Sequence, residues 1–121
     1  SSAKSCVGAV QAWIWDIPES RLDSVTRQGD VAIIAPTEKE LAMAMAQGTL
    51  RAGTSGVRVV RRSHLVQARA FAADNGRRDY MWAYDVELIH ARGEHPRVYR
   101  AGWNIVRVGH REPIRGTATK D

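Results

Sequence analysis

Three strand-length runs occupy the second half of the chain, at residues 56–73, 79–91 and 97–110, and only the turn-like residues 74–78 and 92–96 separate them. Each run is about twice the usual strand length of roughly 5–6 residues. Long strands joined by links this short have to be antiparallel neighbours, because a parallel crossover needs about a dozen residues. The pattern predicts a long meander, and a sheet of that length twists and curls. A curled sheet leaves a hollow that the first half of the chain can fill.

That first half reads as helical. Val7, Val10, Trp13, Ile14 and Ile17 follow one helical face between Cys6 and Pro18, where proline stops the helix. Ser20 with Asp23 resembles a capping pair, and Leu22 and Val25 predict a short helical turn or two before Gly29. Residues 31–35 are too short to assign by pattern. Thr37-Glu38-Lys39-Glu40 is a capping box, and the stripe Leu41, Ala44 and Met45 predicts a helix that stops at Gly48. Residues 49–56 read as a loop. The expected architecture is a single α+β domain over residues 1–121, with N-terminal helices packed in a strongly curved antiparallel sheet.

Alternation assigns faces to the central run. Tyr80, Trp82, Tyr84, Val86, Leu88 and His90 fall on one side, with Met81, Ala83, Asp85, Glu87 and Ile89 on the other. The aromatic side is expected to be buried beside Trp103 and Ile105, under helices carrying Val10, Trp13, Leu41 and Met45. The same parity sends Trp82 inward and Asp85 outward.

A chain of 121 residues is large enough for one core. Its net charge is +5, and 15 of the 18 basic residues are arginine. That balance suits nucleic acid, anionic lipid or an acidic protein partner, and equally an ordinary solvated surface. The single cysteine, Cys6, excludes an internal disulfide and any multi-cysteine metal site. No run approaches the roughly 18 apolar residues that cross a bilayer, and no signal peptide is visible. The start at Ser1-Ser2-Ala3 fits a trimmed chain or a domain of something longer.

Four histidines, His64, His90, His95 and His110, invite a metal reading, but no HxH or HxxxH spacing presents two imidazoles from one element. Neither a metal nor a cofactor is expected. For acid–base chemistry the expected aromatic face offers His90 and Tyr84 as catalytic candidates, in a pocket lined by Trp82, Tyr84, His90 and Trp103. The strand carboxylates Asp85 and Glu87 look away from it, while Asp16, Asp23 and Asp30 remain on the helical side. No nucleophile elbow or phosphate loop is present, and Gly53-Thr54-Ser55-Gly56 reads as a turn.

Arg58, Arg61, Arg62 and Arg69, followed by Arg77 and Arg78, could grip phosphates beside Phe71 or Tyr80. Trp13 and Trp15 cannot share a helix face, since positions two apart diverge by about 200°. Trp15, with Arg77 and Arg78, is therefore the expected partner contact.

The order of helices, capped helix and long meander resembles the cone-shaped nuclear-transport-factor-2-like superfamily. The closing strand Gly102-Trp103-Asn104-Ile105-Val106 is similar to the Gly-Trp-x-Ile-Val strand that often ends its members. One branch looks nearest: the periplasmic domain of the single-span assembly subunit of bacterial type IV secretion and conjugation machines. The shared traits are an amphipathic first helix, a central strand such as Tyr80-Met81-Trp82, and a last strand leading to a proline and glycine segment ending at Gly116. The Asn-Pro-x-Gly turn usual in part of that branch is missing. That resemblance implies a non-catalytic domain working by homotypic and subunit contacts, in a periplasmic setting, with membrane attachment only through a segment absent from this chain.

The superfamily also contains isomerases, hydrolases and ligand binders that place an Asp, His or Tyr inside the cone. Without such a strand carboxylate, the favoured expectation is a protein–protein assembly domain, as a dimer or other homo-oligomer. The alternative is a small-molecule binder or enzyme of isomerase or hydrolase type. The third reading is a nucleic-acid binder using the Arg-rich strand.

Overall fold

The computed structural model describes residues 18–50, 53–72 and 80–109. Six antiparallel strands form one sheet in the order β1-β2-β6-β5-β4-β3. They are β1 (Val25–Gln28), β2 (Val31–Ile34), β3 (Thr54–Val60), β4 (His64–Phe71), β5 (Tyr80–His90) and β6 (Val98–Val108). A 3₁₀ turn, Glu19–Ser24, precedes β1, and one α-helix, α1 (Glu38–Ala46), links β2 to β3. Among the described residues the expected meander is present and one helix joins it, consistent with the α+β class, with far more sheet than helix. The helix expected over residues 6–17 lies outside the described residues.

The capping box behaves as its sequence requires. The Glu40 amide donates to Thr37 Oγ1 at 3.1 Å and the Thr37 amide donates to Glu40 Oε1 at 2.8 Å. Each bond satisfies a donor that the first helical turn would otherwise leave orphaned. Arg21 ties the 3₁₀ turn to this cap, donating to Glu40 at 3.0 Å and to the Ala35 carbonyl at 2.7 Å.

Three elements differ from the sequence expectation, the first being Thr54-Ser55-Gly56, which read as a turn but open strand β3, with Thr54 and Gly56 paired to β4. Val25–Gln28 is a strand, not a continued helical turn: Gly29, at φ +57°, opens a two-residue link that pairs Gln28 with Val31. Residues 56–73 are not one strand but the hairpin β3–β4, which reverses at Arg61-Arg62-Ser63 with Val60 opposite His64. Arg61 and Arg62 hold φ of +52° and +66°. Such left-handed conformations cost a side-chain-bearing residue roughly 1–2 kcal/mol each. Tertiary contacts offset this, since Arg61 donates to the Gly109 carbonyl at 2.7 Å and the Ser63 carbonyl accepts from the Ala91 amide at 2.7 Å.

Apolar clusters cover both sides of the sheet. On one side five strands contribute, among them Ile33, Val66, Met81, Val86, Leu88 and Val106. On the other, Ala32, Ile34, Trp82 and Ile105 pack with Ala44 of α1. β2 is buried on both faces, so its run Val-Ala-Ile-Ile shows no alternation. Each large aliphatic buried this way stabilises the fold by about 1.5–3 kcal/mol.

At one end the sheet folds back on itself. β1 and β4 stand four places apart, about 19 Å in a flat sheet at roughly 4.8 Å per strand. Yet the side chains of Gln28 and His64 meet at 2.9 Å.

Candidate functional site

The geometry that sorts the candidate residues is an irregularity at Asp85. The β5–β6 register changes between Tyr84↔Trp103 and Val86↔Arg100. Asp85 takes φ +51° and Gly102 φ +76°. The Gly102 amide donates to Asp85 Oδ1 at 2.8 Å, and Arg69 reaches Oδ2 at 3.4 Å. A bulge of this kind adds a residue to one strand and breaks the two-residue alternation.

The expected faces are therefore corrected. Met81 and Ala83 share a cluster with Val86 and Leu88, whereas Trp82 belongs to the opposite cluster, against which Tyr80 and Trp103 pack. Of the expected pocket, Trp82, Tyr84 and Trp103 stay together, with the Tyr84 and Trp103 rings 5.3 Å apart. His90 follows Leu88 to the other side, so it cannot act with Tyr84 on one ligand. Trp82 is buried, as parity expects, but it packs beneath α1 and not around a hollow. Asp85 is not a solvated strand residue: its side chain is only 15% exposed and both carboxylate oxygens are engaged. A carboxylate committed in this way clamps the bulge and is a poor general base. The partner candidates Trp15, Arg77 and Arg78 lie outside the described residues.

The arginines do not form one stripe. Arg58 lies 4.3 Å over the Phe71 ring, Arg61 points to Gly109, and Arg69 pairs with Asp85. At the helix cap, a hollow of about 140 Å³ is lined by Pro18, Arg21, Ile34, Glu40, Tyr80, Ile105 and Arg107. Its charges are engaged, Arg21 with Glu40 at 2.9 Å and Arg107 over the Tyr80 ring at 5.1 Å. Burial pushes the Glu40 carboxyl up, but hydrogen bonds from Thr37 and the Arg21 guanidinium outweigh it and hold Glu40 below its ordinary value.

Two features escaped sequence reasoning. One is an imidazole cluster at the end where the sheet closes. His64 and His90 are cross-strand partners with rings 5.1 Å apart, and His95 stands 4.8 Å from His90. Spacing within single elements could not show this, because the three rings meet only once the β4–β5 register is known. Among the described residues no group of three or more His, Cys, Asp or Glu side chains is arranged to hold a metal ion.

The other feature is the half of the sheet that no described residue covers, on the side of α1 but beyond its reach. A depression of about 600 Å³ there is lined by Val57, Gln67, Arg69, Asp85, Glu87 and Tyr99. Val57, Val59 and Tyr99 are 54%, 65% and 54% exposed. Cross-strand pairs Val59↔Leu65↔Ile89 and Val57↔Gln67↔Glu87↔Tyr99 make this one continuous surface across four strands. Among the described residues its outer boundary is β3, the terminal strand of the sheet.

Comparison with known proteins returns no match: no family model, no curated protein and no solved structure resembles the chain closely enough to assign it.

Proposed function

We propose that this is a non-catalytic assembly domain that pairs with a second copy of itself through the β3 edge and the open sheet face beside it. The observation that carries this reading is the exposure of Val57 and Val59 on a seven-residue terminal strand. A terminal strand presents a row of unpaired amides and carbonyls, and proteins that stay monomeric blunt it with proline, lysine or a very short edge. β3 has no proline or lysine, and its one irregularity sits at Thr54/Gly56, leaving the stretch to Val60 regular. The opposite edge, β1, is four residues long. Antiparallel pairing of two copies of β3 would join their valine-bearing faces across a two-fold axis, the commonest symmetry of homo-oligomers.

The rival pocket enzyme loses support because its histidine and aromatics occupy opposite sides of the sheet. Placement in a type IV secretion or conjugation machine rests on the sequence resemblance alone, carried by the amphipathic first helix, the central strand Tyr80-Met81-Trp82 and the last strand with its proline and glycine segment.

Sedimentation velocity over a concentration series tests the proposal. The wild-type chain is expected to self-associate, and Val59→Asp to remain monomeric with an unchanged melting temperature. A wild-type protein that stays monomeric throughout, or a Val59→Asp variant that associates equally well, would refute it.

A further inference from the structure

The imidazole cluster has no part in the assembly reading, yet its hydrogen bonds hold together three separate parts of the chain. Gln28 Nε2 donates to the carbonyls of Leu88 at 3.2 Å and Pro96 at 2.9 Å. With the amide nitrogen so committed, Gln28 Oε1 is the acceptor toward His64, and His64 carries its proton on Nδ1. His90 is the reverse case. Its Nδ1 accepts from the amides of Arg92 at 3.2 Å and Glu94 at 3.4 Å, so the neutral ring holds its proton on Nε2. These tautomers follow from the network, and both rings are buried, His64 completely and His90 to 4% exposure.

The two Nδ1 bonds of His90 require an unprotonated Nδ1. A second proton on His90 would sit on Nδ1 and face two N–H donors, breaking the turn that joins β5 to the following loop. A second proton on His64 would bury a charge beside the His90 ring, with His95 stacked 6.2 Å away. The Glu94 carboxylate is 3.7 Å from His90 Nε2, but that side chain is 58% exposed and water screens it. Asp30, in the β1–β2 turn, is beside Arg61 at 3.9 Å.

We propose that His64 and His90 form an acid-sensitive latch: neutral, they fasten the β1–β2 hairpin through Gln28 to β4 and β5, and on protonation they release that end of the sheet while the helix-covered end stays closed. The device would loosen the domain in an acidic setting without unfolding it.

Amide hydrogen exchange of the wild-type chain at about pH 7.5 and about pH 5.5, either side of the range in which imidazoles gain protons, tests this when corrected for intrinsic rates. The probes are the Ala91 amide, bonded to the Ser63 carbonyl, and the Gly109 amide, bonded to the Asp30 carbonyl. Ala72, bonded to the Trp82 carbonyl at the far end, is the control. Loss of one or two buried hydrogen bonds should lower protection at Ala91 and Gly109 by roughly ten-fold or more on acidification, with Ala72 unchanged. Unchanged protection at Ala91 and Gly109, or an equal loss at Ala72, overturns the proposal. In the double variant His64→Asn, His90→Asn, whose amides can keep the Nδ1-type bonds without titrating, the response should vanish. A folded double variant that still responds also overturns it, and if that variant fails to fold the wild-type comparison decides.

Discussion

The same face of the same strands is sealed on one side of Asp85 and open on the other. Above the bulge, Trp82 and Ile105 pack with Ala44 of α1; below it, Val57, Val59 and Tyr99 meet solvent. The reason is one of length. A nine-residue helix covers about 13.5 Å, whereas the 11-residue strands β5 and β6 run about 36 Å. Among the described residues, the helix covers this face only as far as it reaches, and the face that each residue occupies is set by the bulge.

Substitutions on the two halves should separate sharply. Trp82→Ala, which empties a packed site under α1, is expected to cost about 3–5 kcal/mol in urea denaturation. Tyr99→Ser on the open half should change stability by about 0.5 kcal/mol or less while weakening self-association. Comparable losses at both positions would erase the distinction. The boundary itself is the next test. Asp85→Ala removes the acceptor for the Gly102 amide and should cost about 1–3 kcal/mol, with the largest chemical-shift changes at the Tyr84–Trp103 pair, read by two-dimensional NMR.

A smaller effect is expected where the helix begins. Thr37→Ala removes one side of the capping box, and thermal melting should report a loss of about 1 kcal/mol. The smallest concerns pH. Because the folded Glu40 carboxyl is held below its ordinary value, its contribution is fully present above the unfolded carboxylate range and is lost as pH falls through the lower folded value. Arg21→Ala should therefore flatten the acid limb of the melting temperature against pH, slightly because the site is partly solvated, and leave neutral pH less stable than wild type.

Features with local causes were legible in the sequence. The capping box at Thr37 and Glu40, the antiparallel meander and the burial of Trp82 each follow from residues near one another in the chain. The split of residues 56–73 was not legible, because Arg61-Arg62-Ser63 lacks glycine, proline or asparagine and its left-handed turn depends on the contact with Gly109. Strand β1 was hidden because Leu22 and Val25 share a helical spacing by coincidence. Parity failed beyond Tyr84 for a third reason. The bulge sets Ala101 and Gly102 of β6 opposite Asp85, and a lone Asp inside an alternating run does not by itself mark a break. That one shift removed His90 from the expected pocket and hid the imidazole cluster, which exists only through long-range register.

The most direct test of the open half as an assembly surface is amide exchange along β3, Thr54–Val60, as protein concentration rises. The account predicts growing protection of the outward-pointing β3 amides, with β1 unaffected. Exchange along β3 that is the same at every concentration would contradict it.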